Sequence, residues 1–230
     1  MSSGGVGPGP VVTLDGPAGS GKSTTAREVA RLLGFRHLDS GALYRALTFA
    51  LLDARVPESA WPGLRLEELK ALGVSQHPTA EGFEVRLRGR ALVRELRTPE
   101  VTDRVAALAR LPAARACLLE LQRQAGAHGH LVADGRDMGS VVFPDAEVKV
   151  YLVADLSERA RRRLLETGGP ASEERVAQQA DAISARDGKD SARDISPLHM
   201  PQGAVEIDTT SLTFEQQVAR VVDLVRRLTL

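Results

Sequence analysis

Residues 11–23 read Val-Val-Thr-Leu-Asp and then Gly16-Pro17-Ala18-Gly19-Ser20-Gly21-Lys22-Ser23. Glycine, four residues, then Gly-Lys-Ser is the P-loop pattern, and its setting here is the required one. An apolar, β-prone run (Val11, Val12, Leu14) leads in, and a helix-forming run from Thr24 to Leu33 leads out. The glycines let successive backbone N–H groups turn inward around a polyphosphate, and the helix start adds positive potential at the same point. Gly16, Pro17, Ala18, Gly19, Ser20, Gly21, Lys22, Ser23 and Thr24 are therefore expected to wrap the phosphates of a nucleoside triphosphate. Lys22 is placed to reach the β- and γ-phosphates, and the Ser23 hydroxyl to take one coordination position on Mg²⁺. A solvated turn has no need of Lys-Ser at that fixed offset.

The rest of the chain must supply a sheet that holds this loop. At 230 residues, with 43% hydrophobic residues, it can build one α/β domain carrying an insertion. Thirty basic residues balance thirty acidic ones, which argues against a life on nucleic acid or an anionic membrane. The one cysteine, Cys117, excludes an internal disulfide framework and fits a reducing, cytoplasmic setting. It lies in an apolar helical run, as a buried inert thiol does. No signal peptide or membrane span is evident, and residues 1–10, rich in Gly, Ser and Pro, read as a disordered tail.

In order, strands and helices alternate. Phe35–Leu38 reads as a second strand. Asp39-Ser40-Gly41 opens a helix from Ala42 to Ala54, with Tyr44 and Arg45 one turn in. From Val56 to Thr98 the character changes: prolines punctuate it, and Phe83–Arg88 alternates apolar and charged residues before a Gly89-Arg90 turn. Residues 57–98 are expected to form an inserted, monophosphate-binding subdomain, centred on Leu64 to Leu96, with Trp61 packing beside it. Helices follow over Pro99–Arg110 and Pro112–Ala125, each opened by proline. His130–Ala133 is a buried strand that runs into Asp134-Gly135-Arg136-Asp137. Val148–Val153 is another, leading to a helix from Ser157, a break at Gly168-Gly169-Pro170 and a further helix over Ser172–Ala185. Val205–Asp208 is a last strand, and Thr213 is placed to cap the terminal helix. The alternation implies a parallel sheet covered by helices on both faces, with ligands at the strand C-termini.

A P-loop alone does not separate kinases, GTPases and motors. No Asn-Lys-x-Asp guanine-reading motif occurs, and arginines with adjacent acids recur where loops are expected: Arg136-Asp137, Arg159 to Arg163, and Arg186 to Asp194. The five histidines have no metal-ligand spacing. Four runs then occur together and in order: Leu14–Ser23, Leu38–Arg45, Asp134–Ala146 (Asp-Gly-Arg-Asp-Met-Gly-Ser-Val-Val-Phe-Pro-Asp-Ala) and Ile207–Thr210. By these the chain resembles bacterial cytidylate kinase, the CMP/dCMP kinase of the P-loop nucleoside monophosphate kinases, from Val11 to Leu228.

The resemblance implies an α/β P-loop NTPase-type fold with an inserted β-containing substrate subdomain and a helical lid over residues 159–175. It implies transfer of a phosphoryl group from ATP to CMP and dCMP, giving CDP and dCDP in one in-line step, with Mg²⁺ on Ser23 and no nucleic acid or membrane partner; a monomer is expected. It places Ser40, Arg115 and Asp137 against the cytosine, and Arg45 and Arg136 on the acceptor phosphate. Asp190 and Arg193 fall on the sugar side, and Arg186 and Lys189 near the transferring phosphates; Lys22, Arg136, Arg186, Lys189 and Arg193 form the catalytic set. Arg159, Arg162 and Arg163 belong to the lid. Two positions depart from the family: Ala106 stands where a base-contacting serine is frequent, and Lys189 where arginine is usual. A point charge at 189 gives up a bidentate phosphate contact. Kinases for other acceptors (UMP, shikimate, dephospho-coenzyme A) share the P-loop but give no reason for Ser40, Arg115 and Asp137 together. A P-loop switch that only senses ATP would not need so many arginines.

Overall fold

The computed structural model describes residues 9–166, 168–192 and 198–229. Most of the expected tail, the lid position Thr167 and the site residue Arg193 lie outside the described residues. Five parallel strands form the main sheet: β1 (Val11–Asp15), β2 (Arg36–Asp39), β6 (Leu131–Gly135), β7 (Val148–Val153) and β8 (Val205–Asp208), ordered β2-β6-β1-β7-β8. Every pairing in it is parallel, so each crossover passes over a face and delivers the strand ends to one edge. Strand β1 is central, and its Asp15 is level with Gly135, while Asp134 is level with Leu14 on one side and Asp39 on the other.

Alternation along the strands sets the two cores. Val12, Leu14, Val132, Val148, Val150 and Leu152 face helices α1 (Lys22–Leu33) and α8 (Phe214–Thr229). Leu38, Leu131 and Ala133 face the other way, toward α2 (Ser40–Asp53), α4 (Pro99–Leu108) and α5 (Pro112–Ala125). Helix α2 is capped by Asp39, whose carboxylate accepts from the Ala42 N–H at 3.0 Å. Both α4 and α5 open on proline, as the sequence implies. Thr213 and Gln216 exchange side chain-to-backbone bonds of 3.3 and 3.0 Å at the start of α8.

The segment before α4 holds α3 (Leu66–Ala71) and a second, antiparallel sheet of β3 (Val74–Pro78), β4 (Phe83–Leu87) and β5 (Arg90–Ala91). Its buried residues Val85, Leu87 and Leu92 join the core that contains α2 and Trp61, so this sheet has no separate hydrophobic centre. Strand β3 has no counterpart in the sequence reading. Its Ser, Gln and His residues carry no apolar alternation, and pairing with β4 decides its conformation.

Helices α6 (Leu156–Glu166) and α7 (Glu173–Ser191) form a hairpin with a small core of its own: Ala160, Leu164, Val176 and Ile183, against which Ala18 of the P-loop packs. This corrects the expectation of loops around Arg159–Arg163 and Arg186–Ser191. The first run lies on α6. The second continues α7, through Gly188, well past Ala185. Gly188 and the polar run around it suggest a turn locally, but Asp190 is buried and ion-paired, and that tertiary contact carries the helix on.

Candidate active site

The P-loop leaves β1 at Gly16, where φ is +152° and an added Cβ would sit 2.3 Å from the Leu152 carbonyl oxygen; only glycine allows this approach to β7. It closes at Gly21, in the left-handed region with φ +83°, directly before α1. Lys22 Nζ donates to the Pro17 carbonyl at 3.0 Å, so the lysine lies folded over its own loop. Burial, and then the Arg136 charge, lower its pKa to about 7; Arg186 acts in the same sense. Ser23 Oγ donates to Asp134 Oδ2 at 2.5 Å. Thr24 is exposed and donates to its own turn, at Gly21 O.

Asp134 belongs with the phosphate site although the sequence reading gave it no role. It lies one residue before the end of β6, the strand beside β1, is buried, and holds the hydroxyl of the motif serine, the position from which an acidic residue supports a metal in P-loop enzymes. Ser23 and Asp134 offer hard oxygen donors, which suit Mg²⁺. Among the described residues no three His, Cys, Asp or Glu groups converge as a metal cluster. An ion here would take the remainder of its shell from nucleotide and water.

Asp15 connects this loop to the Asp134–Ala146 run. Its carboxylate accepts the Met138 and Gly139 N–H groups, both at 2.8 Å. Burial raises its pKa to about 6, and those two bonds oppose the rise. They fix a single wide π-type turn, Met138–Val142, and so aim Arg136 and Asp137. Arg136 Nη1 donates to Gly16 O at 2.5 Å, and its Nε pairs with Asp190 Oδ2 at 3.1 Å. Arg136 thus sits at the P-loop itself, and Asp190, 2% exposed, faces a guanidinium.

Arg115 and Asp137 are brought together as a buried ion pair, 10% and 6% exposed at the side chains. Arg115 also donates to Ala109 O at 3.1 Å and lies 5.7 Å from the centre of the Tyr44 ring. The partner of Asp137 is therefore Arg115, from another helix, and not its neighbour Arg136. Ser40 is buried and accepts from Gln122 Nε2 at 2.9 Å. Gln122 went unread in the sequence, although it lies seven residues after Arg115 and on the same face of α5.

Arg45 Nη1 donates to Leu96 O at 3.2 Å and to Thr102 Oγ1 at 3.0 Å. Burial holds its pKa below the usual range, and the charges of Arg186, Arg97 and Arg163 add to that. Arg97 is a second omission; it closes the short turn Glu95–Arg97, and the only sequence signal was a basic residue beside the Thr98 helix cap. Arg186 acts electrostatically on Lys22, Arg45 and Arg136 alike, and its buried Nε has no hydrogen-bond partner among the described residues. Arg186 thus repels cations drawn from α1, α2 and the segment after β6, and a bound polyanion would relieve that repulsion.

The lid residues divide. Arg159 is tied to Asp187, to Ala18 O at 3.1 Å and to Ala154 O at 3.0 Å, while Asp187 Oδ1 accepts the Ala18 N–H at 3.0 Å. Arg162 is anchored by Glu158 and Thr209, 3.0 and 2.6 Å away. Arg163 pairs with Glu166 at 3.0 Å and contributes to the potential at Arg45. Lys189 is exposed on α7 and forms no ion pair among the described residues.

A family model described as cytidylate kinase matches residues 12–227. The cytidylate kinase of Carboxydothermus hydrogenoformans is 42% identical over 219 residues, which cover 94% of this chain and 97% of that one. That of Caldanaerobacter subterraneus subsp. tengcongensis is 39% identical over 219 residues, 95% of each chain. A bifunctional pantoate ligase/cytidylate kinase of Synechocystis sp. is 41% identical over 221 residues, 95% of this chain but 43% of its own length.

Proposed function

This chain belongs to the cytidylate kinase family, and from that premise we propose that it transfers the γ-phosphoryl group of ATP directly, in line, to the phosphate of CMP or dCMP. The observation that carries the reading is a linked set of cations: Arg186 acts on Lys22, Arg45 and Arg136, Arg97 acts on Arg45, and Arg136 is bonded to the P-loop at Gly16 O. A phosphate monoester is largely dianionic at neutral pH, so the acceptor needs no general base. It needs two polyanions held together against their repulsion, and fixed cations supply that. The lone pairs of Ser23 Oγ, left free by its donation to Asp134, would hold Mg²⁺, which would lower the charge on the triphosphate. Lys22 would reach the transferring group, and Arg45, Arg97 and Arg136 would hold the acceptor phosphate. The α6–α7 hairpin, with its own core and its contacts to Ala18, would exclude water by moving as a unit.

Cytosine presents an N4 donor where uracil presents an acceptor, and a carboxylate only accepts. Asp137 therefore favours CMP and opposes UMP, with Arg115 turned by the ion pair toward the ring acceptors and Gln122 fixing the Ser40 hydroxyl. The experiment that tests the reading is turnover of ATP with each common nucleoside monophosphate, on the wild-type chain and on Asp137→Asn. CMP should be the best acceptor, and the asparagine should cost it about 1–3 kcal/mol while narrowing the CMP/UMP ratio of kcat/KM. A ratio that stays fixed while both rates fall would confine Asp137 to holding Arg115.

The Lys22 pKa yields a proton linkage. Bound phosphates favour the ammonium, so above pH ~7 triphosphate binding must take up a proton; affinity should weaken as pH rises and level off below ~7. Calorimetry of MgATP binding in buffers of different ionisation heat should give an uptake near one proton at about pH 8 and near zero at about pH 6. Equal uptake at both would mean that the lysine is already charged without ligand.

A further inference from the structure

We infer that His37 is a positioning residue for the magnesium site, acting through Asp134 on Ser23. The inference rests on the proposed placement of Mg²⁺ at Ser23 and concerns a residue that touches neither metal nor nucleotide. Asp134 has two carboxylate oxygens, and both are engaged: Oδ2 accepts the Ser23 hydroxyl at 2.5 Å, and His37 Nε2 meets Oδ1 at 2.7 Å. An ionised carboxylate only accepts, so Nε2 carries the hydrogen of that contact. The two side chains are buried, at 9% and 3% exposure.

With one oxygen bonded, a carboxylate is free to pivot about its Cβ–Cγ bond. With both bonded it is not. The distinction matters because the direction of the Ser23 O–H fixes where the remaining lone pairs point, and those lone pairs are what a cation would use. His37 is itself clamped. On one side β2 pairs with β6, with His37 opposite Val132 and Asp39 opposite Asp134. On the other, the His37 N–H donates to Glu81 O at 3.1 Å, and Gly82 lies so close that a Cβ there would meet His37 O at 2.4 Å. The loop between β3 and β4 thus holds the strand that holds the histidine. In the sequence His37 is 97 residues from Asp134, and its short strand, Arg-His-Leu-Asp, gives no sign of the pairing.

The test compares wild type, His37→Leu, His37→Gln and Ser23→Ala by thermal denaturation without ligand, with ATP in chelator, and with ATP and Mg²⁺. The readout is the rise in Tm that magnesium adds to ATP alone. Wild type should show a clear rise. His37→Leu should lose most of it and need ~10-fold or more magnesium for half-maximal activity, with KM for CMP unchanged. His37→Gln, whose amide N–H can reach the same oxygen, should keep most of it. A leucine variant that melts earlier but keeps the full magnesium rise would overturn the inference, because the histidine would then only be packing. So would a glutamine variant as impaired as leucine, since the hydrogen bond would not be the agent. No magnesium rise in wild type, or a full one in Ser23→Ala, would instead overturn the metal placement and the inference with it.

Discussion

Lys22→Ala is expected to lower kcat by roughly 100-fold or more, because the lost ammonium would stabilise charge that grows as the β–γ bridge breaks. The effect should fall mainly on kcat, with a smaller loss of ATP affinity. The same substitution should leave the ligand-free protein at least as stable as before. Among the described residues Nζ makes one hydrogen bond, to Pro17 O; burial disfavours its charge, and the field of Arg136 and Arg186 adds to that. Removing it relieves both costs, so Tm should hold or rise. Lys22→Met, which keeps the length of the chain, separates packing from charge. Single-turnover transfer to CMP, measured beside the Tm of each variant, checks both halves. A variant that retains most of its turnover would remove the P-loop lysine from the chemistry, and a marked fall in Tm would show that the loop depends on it for folding.

That coupling of strain to function bears on what could be read from the sequence. The strand–P-loop–helix unit was legible because every element of it is local: apolar strand, fixed glycine spacing, helix start. The two proline-opened helices and strand β7 were legible for the same reason. The Asp134–Ala146 run pointed to Arg136 and Asp137, but local sequence could not say what they face. Asp137 meets Arg115 from 22 residues away, and Ser40 meets Gln122 from 82. His37 and Asp134 join through strand register alone. Arg97 enters the site because α2 and the turn before α4 pack together, with Arg45 reaching Leu96 and Thr102. Helix α7 outran its expected end since a buried ion pair outweighs the turn preference of glycine. What local pattern cannot supply is the partner of a polar group brought from elsewhere by the fold.

Arg136 is where that lesson carries a second large effect. It holds Gly16 O with Nη1 and Asp190 with Nε, so one guanidinium spans the P-loop and the last turn of α7. Arg136→Ala breaks a buried ion pair with Asp190 and should lower stability as well as activity, which makes it a poor probe of catalysis. Arg136→Lys keeps a cation near Asp190 and is the cleaner test. A single ammonium cannot serve both the carboxylate and a phosphate in a planar two-pronged contact. Activity should therefore fall by roughly 100-fold in kcat/KM for CMP, with Tm little changed and ATP affinity altered far less. Pairing the alanine with Asp190→Leu should recover much of the lost Tm, because an apolar pair can replace a buried ion pair, and should recover none of the turnover. If turnover returned with Tm, Arg136 would serve the fold alone. If the lysine variant lost ATP affinity and CMP turnover equally, the guanidinium would belong to the donor phosphates, and the acceptor phosphate would rest on Arg45, Arg97 and Arg186.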